Sequence, residues 1–203
     1  MNIIVKPYGS NLCYCRPDTT WERENRDFHS PECVNEVLWT PVVFARVSKA
    51  GKCIGKKFAQ RYYDGVGCGM LMYCRVMDLP VTSCVDHTSI LPMPLYDPVV
   101  LEGEKAFEVM RNGESYVTLR NSGTNADLST EQVQDDTQSV RCEWISLLED
   151  ALCKASQLTS LRIGDFIAVE LAPIAVLASR EDAKVSVNGT FCGNESFNFN
   201  ILF

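Results

Sequence analysis

Short apolar runs, broken by turn residues, dominate the chain and predict a strand-rich protein. The run from Val37 to Val47 predicts a strand with a break at Pro41. Gly164-Asp165 introduces a second strong strand from Phe166 to Leu171, and alternating apolar and polar positions predict a third from Phe197 to Ile201. These segments indicate sheets rather than a helical bundle.

Two Asn-Gly pairs predict β-hairpins, because this dipeptide favours the tight turn that joins two antiparallel strands. Asn112-Gly113 separates the segments 106–110 and 115–119. Asn188-Gly189 predicts a second hairpin that closes the chain.

Helical patterns are fewer. The clearest runs from about Val140 to Ala155, and residues 58–63 predict one or two further turns. Ser129 to Gln132 has the form of a capping box for an earlier turn. Along the main helix the apolar residues on one side are Trp144, Ile145, Leu148, Ala151, Leu152 and Ala155. The predicted fold class is α+β, with a few peripheral helices outside the sheets.

Composition and charge argue against some classes of protein. The 203 residues are 46% hydrophobic and 22% charged, which fits one globular domain over residues 1–203. The net charge of −7 argues against a protein that binds nucleic acid or acidic membranes over its whole surface. No apolar segment reaches the roughly 18 residues of a membrane helix, so we expect a cytoplasmic protein. One basic cluster, which we interpret as a solvated face, contains Lys49, Lys52, Lys56, Lys57 and Arg61.

The cysteine spacing predicts free thiols. The chain has 10 cysteines but no C-x-x-C pair, and neither His29 nor His87 has a cysteine at metal-ligand spacing. We therefore expect most of them to behave as small, buried or half-buried hydrophobes.

Residue patterns alone offer few catalytic candidates. Glu102 and Glu104 form an E-x-E pair that fits either a metal site or surface charge. Asp86 and His87, followed by Thr88-Ser89, bring an acid, a base and two hydroxyls together. Catalytic triads assemble from distant positions, so Asp86 and His87 stay candidates only.

Several stretches in order resemble the fumarylacetoacetate hydrolase family, especially its short single-domain bacterial members. The most specific is Phe58-Ala59-Gln60-Arg61-Tyr62-Tyr63-Asp64. Arg16-Pro17-Asp18-Thr19 resembles the family's Lys-Pro-Asp-Ser/Thr element, and Asp86-x-x-Ser89 its Phe-Asp-x-Ser turn. The resemblance runs from about residue 16 to the end, so residues 1–15 are expected to form a divergent, shortened N-terminal strand and loop. It implies a mixed β-roll or sandwich of the type found in the family's C-terminal domain.

The family's chemistry uses Mg²⁺, Mn²⁺ or Ca²⁺ to act on small oxo- and diketo-acids by hydrolysis, decarboxylation or isomerisation. In this resemblance the family's three metal-binding carboxylates fall on Thr40, Val42 and Leu71. A histidine that is frequent in the family falls on Leu38, and an expected lysine falls near Ser83. A hydroxyl and two hydrocarbons cannot supply the oxygen ligands of such an ion, so we predict no cofactor. Glu102 and Glu104 cannot replace them, because the family's pair precedes the segment 61–64.

Two functions follow from the resemblance. The first is a catalytically inactive binding or partner module with a degenerate metal site. The alternative is a hydrolase, decarboxylase or isomerase of oxo-acids with relocated or metal-free chemistry using Asp86, His87 or a thiol. The implied partners are a second copy of the chain or a paralogue, and the implied ligand is a small oxo-acid.

Overall fold

The computed structural model describes residues 1–76, 81–103, 105–121 and 144–203. Its strands are β1 (Ile3–Lys6), β2 (Tyr14–Arg16), β3 (Trp21–Glu22), β4 (Phe28–His29), β5 (Val34–Val47), β6 (Tyr63–Val76), β7 (Ser89–Ile90), β8 (Ala106–Arg111), β9 (Glu114–Arg120), β10 (Phe166–Glu170), β11 (Ala175–Ser179), β12 (Lys184–Phe191) and β13 (Asn194–Leu202). The α-helix α1 covers Trp144–Leu158, and short 3₁₀ helices cover Asp18–Thr20, Lys56–Arg61, Pro98–Leu101 and Arg180–Asp182.

The strands form two sheets. The larger has the order β2-β1-β10-β5-β6-β7-β3, with β11 pairing to the far end of β5. The smaller has the order β4-β13-β12-β8-β9. Most pairs are antiparallel, but β1 with β10, β3 with β7 and β4 with β13 are parallel. This mixed-sheet α+β architecture confirms the predicted fold class.

The longest strands are β5 and β6, which pair antiparallel and are each 14 residues long. The predicted break of β5 at Pro41 is wrong. The Pro41 carbonyl accepts a hydrogen bond from the Leu171 N–H at 2.9 Å, on the side where β5 changes its neighbour. There the last pair with β11 is at Trp39 and the first pair with β10 is at Val42. The missing N–H of proline therefore falls in a gap between two neighbours and breaks no regular ladder.

The first Asn-Gly hairpin is confirmed and the second is wrong. Asn112 and Gly113 have φ of 53° and 82° and join β8 to β9. At the end of the chain, however, β12 continues through Asn188-Gly189, and the turn lies at Cys192-Gly193, with φ of 53° and 78°. Gly189 serves packing instead, because a Cβ there would lie 2.2 Å from the Phe197 ring.

The helix is confirmed where the structure describes it. It begins at Trp144 among the described residues and continues to Leu158, beyond the predicted end at Ala155. Residues 140–143 and the expected capping box at 129–132 lie outside the described residues. Ile145 is half-buried, and the other predicted apolar positions are buried: Trp144, Leu148, Ala151, Leu152 and Ala155. The second predicted helical segment is a 3₁₀ helix at Lys56–Arg61.

Two apolar cores lie on opposite faces of the larger sheet. The main core combines side chains from both sheets and α1. Successive strand residues point to opposite faces, so Val43 and Ala45 enter the main core while Val42 and Phe44 enter the other. This second core consists of Ile3, Val5, Leu38, Val42, Phe44, Leu71, Tyr73, Leu91, Phe166 and Ala168. In the described part of the chain, no helix has the length and apolar character needed to cross a membrane.

Candidate functional site

The sequence-predicted positions Thr40, Val42 and Leu71 meet on one face of the larger sheet. Thr40 and Leu71 are directly opposed in the pairing of β5 with β6, and Val42 is two residues from Thr40 on the same face. All three side chains are fully buried. The structure therefore brings together the positions that the resemblance assigns to the metal.

The chemistry of these three positions does not fit a hard divalent cation. The Thr40 hydroxyl donates to the Ala172 carbonyl at 2.7 Å, so its proton is committed within the protein. Val42 and Leu71 pack into the second core with Leu38, the position of the family's frequent His. Mg²⁺ or Ca²⁺ needs about six oxygen ligands, and Val42 and Leu71 provide none.

A buried polar network that sequence reasoning missed lies on the same face. Glu170 is the β10 partner of Val42, and Tyr73 lies on β6 two residues beyond Leu71. The Tyr73 hydroxyl donates to Glu170 Oε1 and lies 2.6 Å from the Tyr14 hydroxyl. Glu170 Oε2 accepts the Tyr8 N–H at 2.9 Å. Both carboxylate oxygens are thus engaged by protein donors. The signal in the sequence was a carboxylate within the apolar strand 166–171, but its partner is distant along the chain.

Burial holds both phenols of this network in the protonated form. It raises the pKa of Tyr73 far above the ordinary range of a tyrosine, and Tyr14 and Glu170 raise it further. Burial also raises the pKa of Tyr14, against the lowering effects of the Tyr73 hydrogen bond and the Arg16 charge. Both hydroxyls are therefore hydrogen-bond donors at neutral pH.

Arg16 anchors the edge of this face. Its side chain is 1% exposed, and its guanidinium carbon lies 5.0 Å from the centre of the Tyr73 ring. Nε donates to the Ser83 carbonyl at 2.8 Å, and one terminal nitrogen donates to the Met72 carbonyl at 2.7 Å and to Thr88 Oγ1 at 2.8 Å. Ser83, which the resemblance aligns with a lysine, thus contributes its backbone. Burial lowers the pKa of Arg16, although the tyrosines counteract this.

Among the described residues, the Asp86 carboxylate and the His87 ring share no hydrogen bond, and the His87 ring contacts Glu22 instead. Asp86 is exposed, and the half-exposed ring of His87 places Nδ1 2.8 Å from Glu22 Oε2. Glu22 is buried, and its other oxygen accepts two backbone N–H groups, from Arg23 and Glu24. No signal in the sequence indicated Glu22 as a partner of His87, because the two residues are 65 positions apart and share no local motif.

Other candidate ligands are dispersed. Glu102 is exposed, and Glu104 lies outside the described residues. Within the described ranges, no group of three or more His, Cys, Asp and Glu side chains is placed to hold a metal ion. The nine described cysteines are free; Cys68 and Cys74 are buried, and the four exposed ones are Cys15, Cys33, Cys53 and Cys84.

Comparison with known proteins gives the fold but no close relative. No protein-family model and no curated protein matches the sequence. Among solved structures, fumarylpyruvate hydrolase from Pseudomonas aeruginosa in complex with Mn²⁺ and pyruvate aligns with a TM-score of 0.72 at 11% identity, covering 100% of this chain and 90% of that one. A fumarylacetoacetate hydrolase family protein from Yersinia pestis CO92 aligns with a TM-score of 0.69 at 10% identity, covering 99% of this chain and 92% of that one. A 5-carboxymethyl-2-hydroxymuconate delta-isomerase from Mycobacterium smegmatis aligns with a TM-score of 0.70 at 12% identity, covering 99% of this chain and 78% of that one. The chain therefore has the fold of the fumarylacetoacetate hydrolase family, as the resemblance predicted.

Proposed function

We propose that this chain uses the fumarylacetoacetate hydrolase fold as a catalytically inactive binding or partner module. The single observation that carries the proposal is the packing of Thr40, Val42 and Leu71. These positions share one face, as a metal site would require, but they are fully buried and hold no carboxylate. Function resides in the site and not in the fold, so this replacement argues against the family's metal-assisted chemistry.

The same packing supports a structural role for Thr40, Val42 and Leu71. Burial of a large aliphatic side chain contributes roughly 1.5–3 kcal/mol, and both Val42 and Leu71 are buried in the second core. The nearby carboxylate, Glu170, is hydrogen-bonded at both oxygens. In this proposal the face stabilises the sheet, and the chain acts through its surface.

The test is thermal unfolding with and without millimolar Mg²⁺, Mn²⁺ or Ca²⁺. We expect no change in Tm for the unaltered protein, because a ligand stabilises a protein only as far as it binds the native state. The triple variant Thr40→Glu, Val42→Glu, Leu71→Asp should lose stability, because it buries repelling charges. Metal should then restore part of that stability.

A matched control places the same three charges on exposed residues. The variant Thr19→Glu, Ala106→Glu, Ser115→Asp should unfold near the wild-type temperature and show no metal response. A clear metal-dependent rise in Tm for the unaltered protein would contradict the proposal.

We also propose that the module pairs with a second copy of itself or with a paralogue. The resemblance implies dimers, and two exposed side chains offer apolar surface for such a contact: Val176 (45%) on strand β11, and Ile174 (43%) just before it. Sedimentation at micromolar concentration should reveal a species heavier than 22.7 kDa. Detection of the 22.7 kDa species alone would exclude self-pairing.

A further inference from the structure

A basic face, formed by Lys49, Lys52, Lys56, Lys57 and Arg61, stands out on this acidic protein. All five side chains are exposed, and none forms an ion pair with a described residue. Elsewhere ion pairs are common; the paired cationic side chains are Lys6, Arg23, Arg26, Arg46, Arg75, Arg111 and Lys154. Burial raises the pKa of Asp150, but nearby lysines, Lys56 among them, lower it overall. This carboxylate is itself paired with Lys6 and Lys154, so the cluster keeps unpaired positive charge although the chain carries −7 in total.

Aromatic rings hold three of these cations in place. Lys57 Nζ lies 4.9 Å and the Arg61 guanidinium carbon 5.5 Å from the centre of the Phe58 ring. Lys49 Nζ lies 5.3 Å from the centre of the Tyr62 ring. A ring attracts a cation without neutralising it, so these charges stay available to an anionic partner.

The backbone beneath the basic face is fixed to the end of α1. The Cys53 N–H donates to the Ser156 carbonyl at 2.8 Å, and the Ile54 N–H donates to the Ser156 hydroxyl at 2.9 Å. Gly51 and Leu161 exchange two backbone hydrogen bonds of 3.1 and 2.8 Å. A surface held in this way loses little conformational entropy when it binds a partner.

Exposed aliphatic side chains border the basic face. Leu158 is 64% exposed and follows Ser156 by two residues on α1. Ile163 is 73% exposed and lies along the chain between Leu161, which pairs with Gly51, and Gly164, whose N–H donates to the Val47 carbonyl. Cations and solvent-facing hydrocarbons thus share one surface.

We infer that this basic face docks a short acidic segment of a partner protein. Its carboxylates contact the lysines and Arg61, and an apolar side chain of the segment packs on Leu158 or Ile163. The exposed aliphatic groups favour a protein over a nucleic acid, whose phosphates gain nothing from them. A long polyanion would also extend over the acidic remainder of the surface, whereas a short segment would not. The inference rests on the proposed function of a binding module and names its partner.

The test measures fluorescence anisotropy of a labelled synthetic peptide rich in glutamate and carrying two leucines. A peptide with glutamine at each glutamate position and a single-stranded oligothymidine of equal charge are the comparison probes. Reversing Lys56 and Lys57 (K56E, K57E) should weaken binding about tenfold or more, since attraction becomes repulsion at two positions. The matched control reverses two exposed cations of the smaller sheet, Arg120→Glu and Lys184→Glu, and should bind within about twofold of the unaltered protein.

High salt should weaken the unaltered complex, and Ile163→Ser should weaken it without changing its salt dependence. The salt series needs no variant, so it tests the inference even if K56E, K57E fails to fold. Equal binding of the glutamine peptide, no effect of K56E, K57E in a folded protein, or tighter binding of the oligothymidine would each overturn the inference. A metal-dependent rise in Tm would contradict the proposed function and leave the peptide measurements unaffected, so the two failures are distinguishable.

Discussion

Removing the Tyr73 hydroxyl should destabilise the fold, because that group is the donor that satisfies a buried carboxylate. Tyr73 is 6% exposed and Glu170 5%, so water cannot readily replace the lost hydrogen bond. A hydrogen bond to a charged group contributes roughly 1.5–3 kcal/mol, and an unsatisfied buried group adds a desolvation cost. We expect Tyr73→Phe to lower the free energy of unfolding by about 2–3 kcal/mol. For a chain of this length, that corresponds to a fall in Tm of roughly 4–12 °C.

Urea and thermal unfolding at pH 7 provide the measurement, and Tyr116→Phe is the matched control. The Tyr116 hydroxyl donates to the Val176 carbonyl at 2.8 Å at an exposed position, so its loss should cost at most about 1 kcal/mol. In a Glu170→Gln background, Tyr73→Phe should cost less, because the acceptor no longer carries a charge. If Tyr73→Phe stays within about 0.5 kcal/mol of the unaltered protein, or costs the same in both backgrounds, the hydroxyl does not stabilise the Glu170 carboxylate.

Three further predictions concern other parts of the fold. Gly189→Ala should lower the free energy of unfolding by roughly 1–3 kcal/mol, measured in urea, because its Cβ would lie 2.2 Å from the Phe197 ring. Burial raises the pKa of Cys74 to about 12, so mass spectrometry after iodoacetamide at pH 8 should find it unmodified while the exposed Cys84 is alkylated. Hydrogen bonds from Ser179 lower the pKa of Asp182, so this carboxylate stabilises the fold at neutral pH and loses that contribution as pH falls. Asp182→Asn should therefore lower Tm at pH 7, and the difference from the unaltered protein should shrink below about pH 4.

The sequence predicted individual strands and turns better than it predicted which strands pair with each other. The β8–β9 turn and the strand at 166–170 carry local signals, and Thr40 and Leu71 could be placed together through the order of the family's motifs. The second Asn-Gly pair failed because Gly189 is required for close packing against Phe197, a constraint that a dipeptide signal does not contain. The strand break predicted at Pro41 failed for a similar reason. Proline is tolerated there because β5 changes its neighbour from β11 to β10, and a single sequence does not show which strands are neighbours.

The polar groups of the site were less accessible to sequence reasoning. Tyr73 and Glu170 are 97 residues apart, and Glu22 and His87 are 65 residues apart. Glu22 and His87 each have an ordinary surface interpretation, and Glu170 in its apolar strand gives no sign of its partner. Only the pairing of distant strands brings these residues together. A single sequence gives the alternation along each strand but not which strands become neighbours.

The parallel pairing of β1 with β10 makes the order of synthesis matter for this chain. Ile3 pairs with Phe166, so one edge of the apolar strand Ile3–Lys6 stays unpaired until β10 has been synthesised. At ribosomal rates of roughly 5–20 residues per second, that delay is roughly 8–30 s. During this interval an apolar strand edge is unpaired, which is the state in which nascent chains misassociate or recruit chaperones. The chain should therefore be most vulnerable to aggregation during its synthesis, and less vulnerable once β10 has emerged and joined β1 to β5.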